Sequence, residues 1–287
     1  MENYRIFADS ACDLKPELLK SLGVEYLNLT FRFVGEDKEY ENGDLPVSEF
    51  YNRMRQGGVA KTAAVNSEAF LGAFKKILEG GEDILYIGFS SGLSTTFNSA
   101  RIAAAELKDS YPKRKIIVVD TLSASAGIGL IIKFVIEKKN SGATIEEASA
   151  FAEELKHNLC HWFTVDDLVY LKRGGRISST AAFVGNMLGI KPVLHMDNEG
   201  HLVNMFKVRG RKTSIMALAD KYGELAKKKD GVAYISNADC ISDAEELKGI
   251  LYEKYGAKVE IITDVGTVIG AHAGPGTLAL FFIGTTR

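Results

Sequence analysis

Residues 83–97 read DILYIGFSSGLSTTF, and this stretch of the 287-residue chain decides the fold. Its first part, DILYIGF, is a short apolar run typical of a strand buried on both faces. A tight polar loop follows, and a helical pattern then covers residues 95–107. Residues 115–120, KIIVVD, begin a similar unit, with a second buried strand, a short loop and an apolar helix. Such alternation predicts a parallel sheet covered on both faces by helices.

The alternation continues toward the start of the sequence. Strands are predicted over residues 4–8 and 25–33, and a loop over residues 61–66. A helix is predicted over residues 67–79, with Ser67 as its N-cap.

The pattern changes near residue 160. Before it, TIEE at residues 144–147 has the capping-box pattern of a helix start. After it, residues 179–188 are predicted to be helical. Residues 191–196 and 201–208 are predicted to form a hairpin through the turn sequence DNEG.

These patterns predict an α/β fold with two α/β domains. The first covers residues 1–160, is built mostly on a parallel sheet and carries the Ser/Thr loop, and the second covers residues 161–287. No Pro- or Ser-rich linker separates the two halves, so we expect them to pack tightly against each other.

The composition is that of an ordinary globular protein, with 46% hydrophobic and 25% charged residues. A net charge of −2 gives no whole-protein reason to expect nucleic acid or anionic membrane as a partner.

The apolar run 124–136 is interrupted by glycine and too short to span a bilayer, which favours a core helix. Cys12, Cys160 and Cys240 lie far apart, which argues against a disulfide framework or a zinc site and fits a reducing compartment. The opening MENYRIFADSACDL has early acidic residues, unlike a signal peptide, so we expect a cytoplasmic protein.

Hydroxyl groups are concentrated in the loop after the first buried strand. Residues 90–96 contain five Ser or Thr residues, more than helix capping needs. The free N–H groups of the following helix converge on the same place, which predicts an anion site suited to carboxylate or phosphate. The glycine spacing matches neither a P-loop nor a dinucleotide-binding fingerprint.

The same loop also permits a different interpretation. GFSSG at residues 88–92 has the G-x-S-x-G spacing of a nucleophile elbow, placed between a strand and a helix. A serine esterase using Ser91 or Ser94 would also need an acid and a histidine, and Asp120 and His272 could fill those roles by chain order alone. The five-residue pattern is short and occurs by chance in Gly/Ser-rich loops, so the esterase is an alternative.

His272 lies in TVIGAHAGPG, a run of small residues where backbone can approach a ligand closely. Nothing nearby in the sequence supplies partners for a metal site. A further alternative is a phosphoryl-carrier or phosphotransfer protein, with the phosphoryl group on His272 and the Ser/Thr loop holding phosphate. The basic clusters at 171–178 and 207–212 form either a solvated surface or, on one face, a site for an acidic or phosphorylated partner.

At these motifs the chain resembles the DegV family of bacterial fatty-acid-binding proteins. Four features carry the resemblance, in order across almost the whole chain: FADSACDL at 7–14, SSGLSTTFNSA at 90–100, LVYLKRGGRIS at 168–178 with GIKP at 189–192, and IGAHAGPG at 269–276.

The resemblance implies a two-domain α/β protein with an acyl chain buried between its domains. Family members in many Gram-positive bacteria present the fatty acid to a separate fatty acid kinase, which phosphorylates the carboxylate for phospholipid synthesis. The resemblance therefore implies a lipid-binding subunit without turnover of its own, with no cofactor or metal besides the fatty acid. The resemblance is compatible with transient contact with a membrane, but insertion into the membrane is not expected.

Carried over to this sequence, the carboxylate ligands are Thr62 and Ser94, with Thr95 beside them and His272 in the same hydrogen-bond network. Arg173 and Arg209 match positions associated with kinase docking. Two departures flank the head-group site: the family loop TSQPS reads TAAVN here, and the family's SGT reads STT, with Thr95 in place of the glycine. Both bear on how the head group is held.

Overall fold

The computed structural model describes residues 3–177 and 189–287. Its strands are β1 (Tyr4–Asp9), β2 (Glu25–Leu27), β3 (Thr30–Phe33), β4 (Tyr40–Glu41), β5 (Ala60–Ala63), β6 (Asp83–Gly88), β7 (Ile116–Asp120), β8 (Leu159–Thr164), β9 (Ile190–Met196), β10 (Leu202–Arg209), β11 (Val232–Asn237), β12 (Lys258–Asp264) and β13 (Leu278–Ile283). Its helices are α1 (Pro16–Ser21), α2 (Val47–Arg55), α3 (Ser67–Glu79), α4 (Thr96–Ser110), α5 (Ala126–Asn140), α6 (Ile145–Lys156), α7 (Val169–Arg173), α8 (Arg211–Leu225), α9 (Ile241–Tyr255) and α10 (Thr267–Ala273). The α/β class is confirmed, and the helix predicted over residues 179–188 lies outside the described residues.

The apolar strand quoted at the outset, β6, lies inside a four-stranded parallel sheet of order β2-β1-β6-β7. All of its residues are buried. Helices α3 and α4 pack together, as do α5 and α6, and all four contact β6. The predicted parallel sheet is therefore confirmed. Its carboxyl edge brings the loops after β6 and β7 side by side, where the N–H of Ser90 donates to the carbonyl of Ser123 (3.0 Å).

A six-stranded sheet of order β10-β9-β8-β13-β11-β12 forms the second layer. Only β11 and β12 run parallel within it, and the other neighbours are antiparallel. The apolar helix α5 contacts both β6 and β11, so it packs between the two sheets as the predicted core helix. Strands β9 and β10 form the predicted hairpin, each shifted by about one residue from its predicted bounds.

Two predictions around the third, smaller sheet were wrong. The single strand expected over residues 25–33 is two strands, β2 in the parallel sheet and β3 in an antiparallel sheet of order β4-β3-β5. The chain turns between them at Leu29, which is buried and whose N–H donates to Ser10 Oγ (3.0 Å). The loop expected over residues 61–66 begins as strand β5, which pairs with β3 and places Thr62 opposite Phe31.

The helix starts differ in how well they follow the sequence. The capping box at Thr144 and Glu147 is confirmed in both directions. The N-cap of α3 is Asn66 and not Ser67, because Asn66 Oδ1 accepts the hydrogen bond from the N–H of Ala69 (2.9 Å).

The strands of the parallel sheet come from residues 4–120, and those of the six-stranded sheet come from residues 159–283. The division into domains at residue 160 stays a prediction. In the described ranges, no helix has both the length and the apolar character needed to cross a bilayer.

Candidate functional site

A cavity of about 250 Å³ lies where the carboxyl edge of the parallel sheet meets the six-stranded sheet. Its wall combines Leu29, Phe89 and Ala124 from the first half of the sequence with Phe163 and Ala279 from the second. Most of the lining residues are apolar, and the polar ones come from both halves of the sequence. The cavity can therefore hold a largely apolar ligand that has a polar group.

The four residues predicted to hold a carboxylate, Thr62, Ser94, Thr95 and His272, all line this cavity. They come from strand β5, from the start of helix α4 and from helix α10. Thr62 Oγ1 lies 2.8 Å from Nε2 of His272, at hydrogen-bond distance. The fold thus brings together residues that are 210 positions apart. Their role as carboxylate ligands stays a prediction.

His272 is held in a neutral state. Burial, with a smaller contribution from the positive charge of Arg176, lowers the pKa of the imidazole to about 4. Its Nδ1 is buried without a hydrogen-bond partner among the residues described. The backbone of Gly174 lies so close that a Cβ there would be 2.1 Å from Nδ1. Near neutral pH the ring therefore offers a hydrogen bond rather than a charge.

Ser94 and Thr95 lie at the start of α4. Ser94 Oγ accepts a hydrogen bond from the N–H of Thr96 (3.2 Å) and lies 2.9 Å from Thr96 Oγ1. Thr95 is the N-cap residue, but its side chain makes no capping hydrogen bond and is exposed. The first turn of this 15-residue helix therefore presents hydroxyl groups and a partial positive charge to the cavity, which favours an anion.

At the polar end of the cavity, sequence reasoning missed Arg176. It also lines the cavity, and its guanidinium donates from Nε and Nη2 to the carbonyl oxygen of Leu93 (3.1 and 3.0 Å). Burial lowers its pKa, although an arginine keeps its charge in proteins. The signal was present in the motif LKRGGRIS, where the buried Ile177 follows Arg176 and indicates that this end of the basic cluster turns inward. The polar end of the cavity is thus cationic.

The two arginines predicted to dock a kinase lie elsewhere. Arg173 ends α7 with its guanidinium carbon 5.7 Å from the ring centroid of Tyr170, and Arg209 ends β10. Both side chains are exposed and neither lines the cavity. Their position fits a contact with a macromolecule rather than with the enclosed ligand.

The serine esterase alternative lacks its geometry. Asp120 accepts hydrogen bonds from the backbone N–H groups of Ser91 (3.2 and 3.3 Å) and Leu122 (3.0 Å). His272 is paired with Thr62, and no carboxylate orients its Nδ1 among the described residues. The described residues therefore contain no assembled Ser–His–Asp triad.

Packing accounts for the glycines that gave the nucleophile-elbow pattern. A Cβ at Gly88 would lie 2.5 Å from the Tyr86 ring, and one at Gly92 would lie 2.7 Å from the carbonyl oxygen of Gly200. Within residues 3–177 and 189–287 there is also no group of three His, Cys, Asp or Glu side chains that could hold a metal ion.

The opening motif DSACDL supports the site indirectly. Asp9 is fully buried and accepts hydrogen bonds from Tyr86 Oη (2.6 Å) and from the N–H of Phe89 (2.9 Å). Burial raises the pKa of its carboxyl group, and these two donors oppose the rise. Ser10 Oγ accepts a hydrogen bond from the N–H of Leu29. The two polar side chains therefore hold in place the backbone that carries Phe89 and Leu29 into the cavity wall.

Comparison with known proteins extends the likeness over nearly the whole chain. Residues 3–285 match the model of the DegV family. A DegV domain-containing protein of Clostridium perfringens is 42% identical over 294 residues, covering 100% of this chain and 99% of that protein. The crystal structure of a DegV lipid binding protein from Thermotoga maritima has a TM-score of 0.87 at 32% identity, with 100% of both chains covered. A fatty-acid-binding DegV family protein from Thermus thermophilus has a TM-score of 0.88 at 28% identity, covering 98% of this chain and 99% of that one.

Proposed function

This chain belongs to the DegV family, and on that premise we propose that it binds one long-chain fatty acid in the cavity and presents the carboxylate to a fatty acid kinase. The observation that carries the proposal is an apolar cavity with one cationic, hydroxyl-rich end, formed by Thr62, Ser94, Arg176 and His272. Lipid and fatty-acid binding by relatives of the same fold supports it.

The apolar walls supply the affinity for the tail. Burial of each CH₂ group contributes about 0.8 kcal/mol, so a tail of about 14 methylenes gains roughly 11 kcal/mol before ordering costs. Aromatic rings at Phe89 and Phe163 and small side chains at Ala124 and Ala279 form a surface that excludes water from such a tail. A ligand held in this way should survive purification.

The cationic end supplies the contacts for the head group. A carboxylate needs hydrogen-bond donors and a nearby positive charge when it leaves water. The hydroxyl groups of Thr62 and Ser94 are donors, the start of α4 adds backbone N–H groups, and Arg176 adds the charge. The neutral ring of His272 orients the hydroxyl group of Thr62.

In this proposal the protein has no turnover of its own. The kinase transfers a phosphoryl group to the carboxylate, and this chain positions the acceptor oxygen. Arg173 and Arg209 act on the outside, where exposed cations raise the rate of encounter with a partner and fix its orientation. The proposal places the protein in the cytoplasm, where ATP and such a kinase are available.

The ligand is tested by denaturing extraction of the purified protein followed by mass spectrometry. We expect close to one fatty acid per chain. Protein stripped of lipid should take up an added fatty acid with a rise in its unfolding temperature. Empty protein that also fails to take up fatty acid contradicts the proposal.

Presentation to the kinase is tested with a fatty acid kinase, ATP, Mg²⁺ and the loaded protein. Arg173→Ala and Arg209→Ala should keep the fatty acid and lose phosphorylation, and His272→Ala should lose phosphorylation with a smaller loss of binding. Lys258→Ala is the control, because Lys258 is exposed on β12 at the opposite edge of the sheet from β10. Full activity of both arginine variants contradicts the docking role, and phosphorylation of His272 without fatty acid would support the phosphoryl-carrier alternative.

A further inference from the structure

One polar side chain in the cavity has no place in the proposed head-group site. His161, on β8, lines the cavity and is 5% exposed. Its Nδ1 is buried and has no hydrogen-bond partner within residues 3–177 and 189–287. The nearest rings are those of Phe281 and Phe163, at centroid distances of 4.4 and 5.6 Å, and neither offers a polar atom. The ring lines the cavity and makes no hydrogen bond to the described residues, so a polar group of a ligand can pair with the ring nitrogen that faces the cavity.

The remaining polar groups of the cavity wall are already used within the protein. Ser125 Oγ lies 2.5 Å from Asp13 Oδ2 and 3.0 Å from Ser236 Oγ. Thr277 Oγ1 donates to the carbonyl oxygen of Ala273 (3.0 Å). Away from the cationic end, His161 is therefore the lining group in the described ranges with unused hydrogen-bonding capacity.

His161 meets the tail rather than the carboxylate. Strand β8 ends at Thr164, and the chain continues from there toward α7 and Arg176 at the cationic end. The charged and titratable groups that act on the ring of His161 are Arg287 and His195, and neither belongs to the cationic end. Its neighbours Phe163 and Phe281 are apolar, as expected beside an alkyl chain.

The chemistry of the ring defines what would pair with it. Burial lowers the pKa of His161 well below its ordinary value, so the imidazole is neutral and carries one N–H donor and one acceptor nitrogen. An unsubstituted alkyl chain satisfies neither. A hydroxyl group on the chain can donate or accept and so satisfies one of them in either tautomer.

We propose that the cavity is adapted to a hydroxylated long-chain fatty acid whose chain hydroxyl group forms a hydrogen bond with His161. This inference rests on the proposed function, since it specifies the substrate class of the same cavity. His161 is then a residue that determines specificity, while Thr62, Ser94, Arg176 and His272 hold the common carboxylate.

The test compares 12-hydroxystearate with stearate by calorimetric titration of lipid-free protein. We expect the wild-type protein to prefer the hydroxylated acid. In His161→Phe the ratio of the two affinities should fall by about tenfold, the effect of one hydrogen bond. His195→Phe is the matched control: its Nδ1 is likewise buried without a partner in the described ranges, but it stacks on Trp162 (4.7 Å) away from the cavity lining. Its ratio should match the wild type.

A second measurement uses only the wild-type protein, so it holds even if His161→Phe fails to fold. Across acids hydroxylated at successive chain positions, affinity should peak at one position and show no gain for 2-hydroxystearate, whose hydroxyl lies beside the carboxylate. Equal affinities along the series, or a ratio unchanged in a folded His161→Phe, overturn the hydroxyl preference alone. A protein that binds none of these acids overturns the proposed function itself.

Discussion

Ser94 and Thr62 both bring a hydroxyl group to the cationic end of the cavity, but their partners differ. Thr62 is paired with a histidine ring across the cavity, whereas Ser94 is paired with Thr96 two residues along its own helix start. Either hydroxyl group can be the donor between Ser94 and Thr96, so Ser94 Oγ can point its hydrogen at a ligand while it accepts from Thr96. The backbone does not need to move. Ser94 is thus the proposed head-group ligand whose loss we expect to leave the fold intact.

We expect Ser94→Ala to weaken the binding of free fatty acid by about 1.5–3 kcal/mol, the contribution of one hydrogen bond to a charged group. The methyl ester of the same acid is the control ligand, because it lacks the charge and should lose less. Titration of both ligands against both proteins measures the difference. Equal binding of the free acid by the variant and the wild type would place the head group elsewhere.

Asp13 makes a pH-dependent contribution to stability. Burial raises the pKa of its carboxyl group to about 7, opposed in part by the hydrogen bond from Ser125. The native state therefore keeps the proton while the unfolded state, with a pKa of about 3.9, loses it. Between these values the unfolded state binds fewer protons, so the free energy of unfolding decreases as pH rises.

We therefore expect the wild type to lose stability relative to Asp13→Asn by up to about 1.4 kcal/mol per pH unit between pH 4 and 7. Urea unfolding at several pH values measures this difference. Asp37→Asn, at an exposed carboxyl group, is the control and should follow the wild type. A constant difference between Asp13→Asn and the wild type would contradict the raised pKa.

The residues of the site show how far sequence alone can reach. His272 and Ser94 were found because short motifs surround them, and the fold brings both to one cavity. Arg176 was missed because it lies in a basic cluster that is otherwise exposed. His161 was missed because the feature that distinguishes it, a buried ring without a hydrogen-bond partner among the described residues, is visible only in the folded structure. The direction in which a charged side chain points, and whether a polar atom has a hydrogen-bond partner, depend on tertiary packing. No local sequence pattern encodes tertiary packing.

At the scale of elements, the end of α7 is pressed against α10. Gly174 follows α7, and its backbone approaches the ring of His272 more closely than any side chain would allow. Its φ of −73° is open to every residue, so the need for glycine is one of space and not of backbone conformation.

Gly174→Ala should therefore push His272 away from Thr62. We expect a loss of about 1–3 kcal/mol in stability from the overpacking and weaker fatty-acid binding. Gly72→Ala is the matched control, because nothing lies near a Cβ at that position in α3, and it should stabilise the protein by up to about 1 kcal/mol. Thermal unfolding and ligand titration give both effects. Unchanged stability in Gly174→Ala would contradict the close packing of its backbone against His272.

Elements with strong local signals were predicted well, and those defined by pairing were not. Strand β6 and the capping box of α6 follow directly from apolar continuity and from Thr144 with Glu147. Strand β5 reads AKTA and has little β propensity, so it is a strand only because β3 lies beside it. The break between β2 and β3 likewise depends on Ser10, which lies far away in the sequence.

At the scale of the whole molecule, Arg287 joins parts of the chain that belong to both predicted domains. Its guanidinium is buried and donates hydrogen bonds to the carbonyl oxygens of Lys156 (2.7 Å), Met196 (3.3 Å) and Leu122. Burial lowers its pKa to about 10, so it remains charged near neutral pH. One side chain thus satisfies carbonyl groups from three separate segments.

We expect Arg287→Ala to lower the free energy of unfolding by about 4–5 kcal/mol, since three carbonyl groups lose a charged donor at about 1.5 kcal/mol each, the lower end for such bonds. Arg287→Lys should recover only part of this loss, because an ammonium group cannot reproduce the planar fork. Urea unfolding of the three proteins provides the comparison. Full stability in the lysine variant would reduce the role of Arg287 to its charge.

The hydrogen bond between Thr62 and His272 can form only after both residues have been synthesised, so the complete cavity appears late in translation. The two residues are 210 positions apart. At a synthesis rate of about 5–20 residues per second, the ribosome reaches the second roughly 10–40 s after the first. During that interval the first half of the chain has formed its apolar wall of the cavity, but the wall from the second half is still missing. In the proposed function, lipid binding is therefore a late event for each molecule. Until the second half is synthesised, the apolar surface of the first half is exposed to other hydrophobic molecules.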